Sequence, residues 1–552
     1  MKISVTKEKT ENKQRTKAKK IVLCITFMLG VMFFIFTQWS NFTYGHVAAD
    51  QMIINLTSPT QGTDSGIYIS ALTKAFLPCV IITGLFTIFV FLKYKIVLKI
   101  KNYDAIIYNE KIRRVFSVIL SLSVFFGGLI YGIVDFKLVD LYKAYFVKSS
   151  FIEENYVDPK ETKLIFPEKK RNVIYIYLES MENSYMSKDL GGMEDVNLIP
   201  KLTKLSQDGI TFSDSNNEFG GPKMPVGSQW SLASMTNQMT GLPMKVPGNG
   251  NSYGSSGNFL PGAWTFGDVL NSEGYEQTVM IGADARFGGL SYLFENHGNY
   301  KVMDYNYAIK NGLLPKNYKQ FWGYEDDKLY QFAKDEITRL YKTGKPFNMT
   351  FETADTHTPG YVSPKIKNKF NNQYANAIYY SQNETYKFIE WIKQQPFYEN
   401  TTIVIIGDHL SMCSDFFKNK NGNRTQYNLI LNPSPDLKYS KDCLKNRTWS
   451  NYDMYPTVLA AMGVKIEGNR LGLGTDLFSN EPTVFEEFGY DYVNKELAKK
   501  SEFYNKRILS PNGEKIAMHN TDDNQKFAFL SIYLEYIFLK CAKYNRNNNI
   551  IY

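Results

Sequence analysis

The sequence predicts three membrane-spanning helices followed by an α/β domain built on a mainly parallel sheet. Three observations carry this reading. Three uncharged apolar runs precede residue 135, the basic residues flanking them alternate in density, and beyond residue 170 short β-branched and aromatic runs alternate with stretches of helical spacing. The chain has 552 residues, 44% hydrophobic and 21% charged, which is ordinary for folded protein and excludes wholesale disorder. Five cysteines in this length exclude a scaffold built on disulfides.

The first twenty residues, MKISVTKEKTENKQRTKAKK, hold eight Lys/Arg against two Glu. Ile21–Trp39 then runs nineteen residues without a charge, close to the ~20 needed to cross a ~30 Å hydrocarbon core. Further uncharged runs cover Ala75–Leu92 and Val115–Val134. The segment Ser40–Ser70 has no Lys or Arg, whereas the loop between the second and third runs has seven. Basic residues favour the cytoplasmic side, so the tail and second loop are expected inside and everything after about Asp135 outside the cytoplasm. The net charge of +9 is then mostly a topology signal, and nucleic acid is not an expected partner. The expected organisation is a basic tail (1–20), a membrane region (21–135), a juxtamembrane arm (136–170), an extracytoplasmic catalytic domain (171–480) and a C-terminal extension (481–552). In that extension Phe527–Leu539 is apolar but too short to span, and reads as an amphipathic or packing helix.

Asn172–Leu178 (NVIYIYL) has the pattern of a buried strand, and similar runs lie at Gln277–Ala283, Phe347–Thr353, Thr402–Gly407 and Tyr427–Asn432. Ile199–Asp208 and Tyr379–Lys393 between them have helical spacing. Such alternation predicts helices on both faces of the sheet, with ligands at the carboxyl ends of the strands. Three strand ends carry unusual chemistry: Glu179-Ser180, Asp355-Thr356-His357 and Asp408-His409. Glu, Asp and His close in space make a mixed oxygen and nitrogen donor set for a divalent cation, although each alone is equally a helix cap or a solvated loop residue. Such a cation polarises a phosphoryl group and activates a hydroxyl. Candidate hydroxyls lie in EFGGPKMPVGSQWSLASMTNQMTGLP, residues 218–243, where a turn at Pro225–Ser228 precedes helical spacing over Gln229–Met239. A Ser at a helix start has free backbone N–H groups beside it that suit phosphate, and it also serves as an ordinary N-cap.

Over roughly Lys170–Phe478 the blocks NVIYIYLESMENSY, GSQWSLASMTNQMTGLPM, FLPGAWTFGDVL, IGADARFGGLSYLFENHG, ETADTHTPGY, IGDHLSM and YDMYPTVLAAMG…LGLGTDLF occur in order. Together they resemble the extracytoplasmic domain of the phosphoglycerol transferases. That group includes the lipoteichoic-acid synthases and the enzymes that decorate membrane-derived oligosaccharides, within the sulfatase/alkaline-phosphatase fold. The resemblance implies a bacterial multi-pass membrane protein. It implies Glu179, Asp408 and His409, with the nucleophile, as ligands of one divalent metal, Mn²⁺ first, with Mg²⁺ and Zn²⁺ as alternatives. The family nucleophile is a Thr in the block matching GSQWSLASM, which places Ser228 in that role with Ser231 in reserve. His357 is implied to contact the phosphoglycerol or to protonate a leaving group, Asp284 to contact glycerol, and Arg286 to partner phosphate. The implied donor is phosphatidylglycerol and the implied acceptor a hydroxyl of a glycan or glycolipid, with diacylglycerol released through a glycerophosphoryl-serine. Two other readings stay open: phosphoethanolamine transfer or phosphoester hydrolysis, and an inactive membrane-anchored binding protein. Sulfate ester hydrolysis is disfavoured, because Ser228-Gln-Trp-Ser-Leu does not fit the C/S-x-P-x-R motif of sulfatases proper. Cys413 and Cys443 are read either as a disulfide or as free thiols.

Overall fold

The structure is a computed structural model that describes residues 2–7, 14–44, 53, 65–92, 94–100, 103–245, 253, 258–364 and 366–510. The apolar segment 527–539 lies outside the described residues. Strand β1 (Lys2–Lys7) pairs antiparallel with β2 (Tyr94–Ile100), which pairs with β3 (Tyr103–Tyr108). The basic tail is thereby joined to the basic loop between the second and third apolar helices. Helices α1 (Gln14–Tyr44), α2 (Leu77–Phe91) and α3 (Glu110–Asp135) follow the three apolar runs. Lys17–Thr43, Gly66–Phe91 and Glu110–Asp135 are long and apolar enough to cross a membrane. Helices α1 and α3 approach closely at Gly30 and Gly128: a Cβ on Gly128 would sit 2.3 Å from the Gly30 carbonyl oxygen. Small residues at such crossings let backbones meet where lipid supplies no hydrophobic drive.

The second region is built on a six-stranded sheet of β4 (Asn172–Leu178), β5 (Glu276–Ile281), β6 (Lys301–Met303), β7 (Phe347–Glu352), β8 (Thr401–Gly407) and β9 (Asn428–Leu431). Its order is β9-β8-β4-β7-β5-β6, parallel throughout except for β9, which runs antiparallel to β8 at one edge. All seven residues of β4 are buried because both faces of the sheet are covered. Side chains alternate between faces. Val173, Tyr175 and Tyr177 enter one core, while Ile174, Ile176 and Leu178 enter the other. Each such aliphatic burial contributes about 1.5–3 kcal/mol. Helices α4 (Pro200–Gln207), α6 (Asp326–Lys342) and α7 (Gln373–Lys393) pack into the second core, and α5 (Ser231–Thr240) and α8 (Met454–Ala461) into the first.

The expected strands are found within about two residues of their predicted ends. Helix α7 starts six residues before the predicted Tyr379, and α5 two residues after Gln229. The arm begins with the helix its sequence predicts, Leu138–Phe146, but the rest is more structured than the extended segment expected: Phe151–Asn155 is helical, Phe151 and Ile152 are buried in the first core, and Leu164–Ile165 pairs with Lys465–Ile466. Packing also continues past Asn480. Helices α9 (Val484–Phe488) and α10 (Tyr490–Leu497), with Tyr504, Ile508 and Leu509, bury apolar side chains in the first core. Cys413 and Cys443 are free thiols.

Candidate functional site

Three parallel strands end side by side at the carboxyl edge of the sheet and present Glu179 after β4, Glu352 and Asp355 at and after β7, and Asp408-His409 after β8. Ligand atoms of Glu179, Asp408 and His409 all lie within 4.8 Å of one another, and all three residues are buried. Backbone groups fix the cluster. Ser180, held at a left-handed φ of +52°, donates its N–H to Asp408 Oδ1 at 2.7 Å, and the His409 N–H donates to the same oxygen at 2.7 Å. His409 Nδ1 lies 2.8 Å from the Leu410 carbonyl, which can only accept, so Nδ1 carries the proton and Nε2 is free to ligate. That Nε2 stands 3.3 Å from Asp408 Oδ2 and 3.7 Å from Glu179 Oε1.

The electrostatics are those of a site short of positive charge. Burial, then the neighbouring Glu179, pushes the Asp408 carboxyl up to about 7. Glu352 is driven well above the usual carboxylate range, first by burial and then by Asp408 and Glu179. Burial alone would depress His409, yet the Asp408 and Glu179 carboxylates raise it. Asp408 Oδ2 and Glu352 Oε1 are buried without a hydrogen-bond partner. Uncompensated buried acid oxygens beside an available imidazole nitrogen are what a divalent cation satisfies, so the residues present fit one.

Two hydroxyls had been candidates, and the structure separates them. Ser228 is fully buried and donates to the Pro225 carbonyl within the turn. That turn needs Gly227 at φ +76°, where a Cβ would lie 2.3 Å from the Met244 carbonyl oxygen. Ser231, the first residue of α5, is partly exposed and points its hydroxyl at Glu179 Oε2, 3.5 Å away. The same hydroxyl lies near the Asp408 and Glu352 carboxyls and works against the rise that burial imposes on them. The helix is locked behind it: Asn237 Nδ2 donates to the Gly227 and Leu242 carbonyls, and Gln238 accepts from the Tyr175 hydroxyl at 2.6 Å. The hydroxyl brought to the acids is therefore that of Ser231, at a helix N-terminus where backbone N–H groups and the dipole favour an anion.

His357 is half-buried, edge-on to Trp322 with ring centroids 4.8 Å apart, and its Nδ1 lies 3.1 Å from the Thr358 carbonyl. Burial first, and His409 further, bring it down to about 4, so it is neutral near pH 7 with Nε2 as an acceptor. Asp284 and Arg286 pair with each other at 3.4 Å on the loop after β5. Asp355 is not one of the clustered ligands. It exchanges backbone hydrogen bonds with Asp326 at the start of α6, each carboxylate accepting the other's N–H at 3.2 Å. Asp326 carries no distinct sequence signal, since Glu-Asp-Asp before a helix reads as a capping cluster. A second unanticipated pair is Glu182 and Arg424. Glu182 is fully buried and accepts from Arg424 Nε at 2.9 Å, from Arg424 Nη2, and from the Ser411 N–H at 2.7 Å. It clamps the Glu179 loop to the Asp408-His409 loop.

Phosphoglycerol transferase I of Shigella flexneri is 30% identical to this chain over 338 residues, 59% of this chain and 41% of that protein. The chain thus spans about two fifths of the length of the curated relatives it matches. Among solved structures, lipoteichoic acid synthase from Listeria monocytogenes aligns with TM-score 0.43 and 17% identity over 60% of this chain and 80% of that one. A lipooligosaccharide phosphoethanolamine transferase from Neisseria meningitidis aligns with TM-score 0.44 and 12% identity over 83% and 85%. Residues 171–464, more than half of the chain and a stretch that contains every strand-end acid described above, match the family described as Sulfatase, and the chain belongs to that family.

Proposed function

We propose that this protein is a membrane-anchored, metal-dependent transferase that moves glycerol phosphate from phosphatidylglycerol to a hydroxyl of a glycan or glycolipid outside the cytoplasm. The observation that carries the reading is the Ser231 hydroxyl, set at a helix N-terminus against Glu179 within a buried acid and imidazole cluster. The named activity of the 30%-identical relatives supports the choice of group transferred. Ser231 replaces Ser228 as the proposed nucleophile because Ser228 is spent on the Pro225 carbonyl.

Glu179, Asp408 and His409 would hold the cation, Mn²⁺ first, with Mg²⁺ and Zn²⁺ as alternatives. When bound it neutralises charge on the non-bridging phosphoryl oxygens and favours the ionised hydroxyl. Ser231 Oγ forms a bond to phosphorus as the bond from phosphorus to the diacylglycerol oxygen breaks, and that oxygen leaves as the alcohol. In the second step the acceptor oxygen forms the new phosphoester bond, the bond to Ser231 breaks, and Ser231 recovers its proton. Neutral His357, with its Nδ1 proton committed to the Thr358 carbonyl, is suited to take the acceptor's proton at Nε2. Asp284 and Arg286, at the rim after β5, are proposed contacts for the glycerol and the phosphate.

The proposed topology places the basic tail and second loop together in the cytoplasm. Their pairing through β1 and β2 supports this, because paired strands share one side of a membrane. Three crossings then leave the sheet domain on the opposite side, beside outer-leaflet lipid.

The test uses full-length protein, Mn²⁺ and liposomes of labelled phosphatidylglycerol, and follows diacylglycerol release. Ser231→Ala should lower release by about three orders of magnitude, with a far smaller loss in Ser228→Ala. The reverse order would overturn the nucleophile. No release alongside an active control would overturn the donor.

A further inference from the structure

Beside the proposed phosphoryl site the loop from Gln320 to Tyr324 is pinned to the end of β5. The Tyr324 N–H donates to the Gly282 carbonyl at 2.9 Å, and Gly323 bridges Ala283. This loop displays Phe321 and Trp322, which with Phe287 and Tyr361 form a connected set of rings. Phe321 stacks on Tyr361 (5.8 Å, 20°), Phe287 tilts onto Trp322 (5.5 Å, 45°), and Trp322 stands edge-on to His357 (4.8 Å, 67°). None of the four rings is fully buried, and Phe287 is 38% exposed. Phe321 is held at φ +52°, a left-handed conformation unfavourable for a bulky side chain, of the kind that persists where the surroundings impose it at functional sites.

We infer that these rings form an acceptor subsite that takes a pyranose ring, with Trp322 and Phe321 as the stacking faces. The inference rests on the transferase reading above and adds to it where the acceptor docks and what chemistry is recognised. A pyranose offers an apolar C–H face to an aromatic ring and hydroxyls around its edge. Gln320, on the same loop as Phe321 and Trp322, offers those hydroxyls a polar group beside the rings, its side-chain oxygen accepting from the Tyr361 hydroxyl at 3.5 Å. An acyl chain would require a continuous apolar surface. Stacking on Trp322 also delivers a sugar hydroxyl toward His357, the group proposed to receive its proton.

The experiment is saturation-transfer NMR on the full-length protein in phosphatidylglycerol nanodiscs, with cellopentaose, maltopentaose, laminaripentaose and chitopentaose as probes. Saturation should reach the ring C–H protons of at least one probe, disappear in Trp322→Ala and Phe321→Ala, and return in Trp322→Phe, which guards against loss by misfolding. With that probe as acceptor, Phe321→Ala should raise the acceptor KM roughly tenfold, with a much smaller change in diacylglycerol release into water. Saturation of none of the probes, or contact that survives both alanine substitutions, would overturn the subsite. Sugar contact without diacylglycerol release would instead defeat the transferase reading and leave the subsite standing.

Discussion

Asp408 and Asp355 are both fully buried carboxylates at the carboxyl edge of the sheet, on either side of β4, and their surroundings treat them differently. Around Asp408 stand Glu179, the Nε2 of His409 and the Ser231 hydroxyl, with Oδ2 left unpartnered. Asp355 also has an unpartnered oxygen, Oδ1, but its companion is Asp326, and each carboxylate accepts the other's backbone N–H. Burial raises both. The first arrangement supplies the donors with which a cation would relieve the cost, because an imidazole and two acids converge with lone pairs to spare. The second relieves it by keeping a proton. The comparison teaches that a buried acid at a strand end does not by itself mark a ligand; its companions decide.

The largest effect that tests this contrast is on metal affinity. Asp408→Asn should weaken Mn²⁺ binding, measured by calorimetry, by more than the roughly 10–100-fold of an outer partner, and Asp355→Asn should weaken it by less than about threefold. Equal losses would merge the two sites into one. Next comes the clamp between the two ligand loops. Arg424→Ala should cost about tenfold or more in Mn²⁺ affinity, since it leaves Glu182 buried without its cation, and Arg424→Lys should restore part of it. An unaltered affinity would show that the loops hold their geometry without the pair.

The smallest effect is on the pH dependence of stability. Asp326 and Asp355 have folded pKa values raised to about 7 and about 10, so the folded state binds more protons than the unfolded state above pH 4. Their favourable contribution is complete below the ordinary carboxylate range and is lost as pH rises through the raised values. Each extra proton held steepens that loss by up to about 1.4 kcal/mol per pH unit. Asp355→Asn keeps an oxygen to accept the Asp326 N–H and removes one titration, so thermal unfolding of the variant between pH 7 and 9 should be flatter. An unchanged slope would mean that the pair does not retain its proton.

Much of this was legible in the sequence. Strand β4 was readable because a run buried on both faces has no polar interruption, and Glu179, Asp408 and His409 were readable because they directly follow such runs. The choice between Ser228 and Ser231 was not. Both belong to one turn and helix start, and the direction of each hydroxyl depends on the backbone reversal at Gly227, four residues before α5 reaches its helical geometry. Glu182 with Arg424, and Asp355 with Asp326, were invisible for a different reason. Each pair is made by tertiary closure across many residues, and each member alone looks like a surface charge or a cap.

The packing of Val484, Phe485, Val493, Leu497 and Tyr504 into the first core has a consequence for how this protein can be divided. The stretch shared with the family ends at residue 464, but the hydrophobic seam it must close runs on to Leu509. A gene segment trimmed to the shared stretch would encode a body with one side open to water. The stretch matched by the family and the segment through Leu509 therefore close one hydrophobic core together.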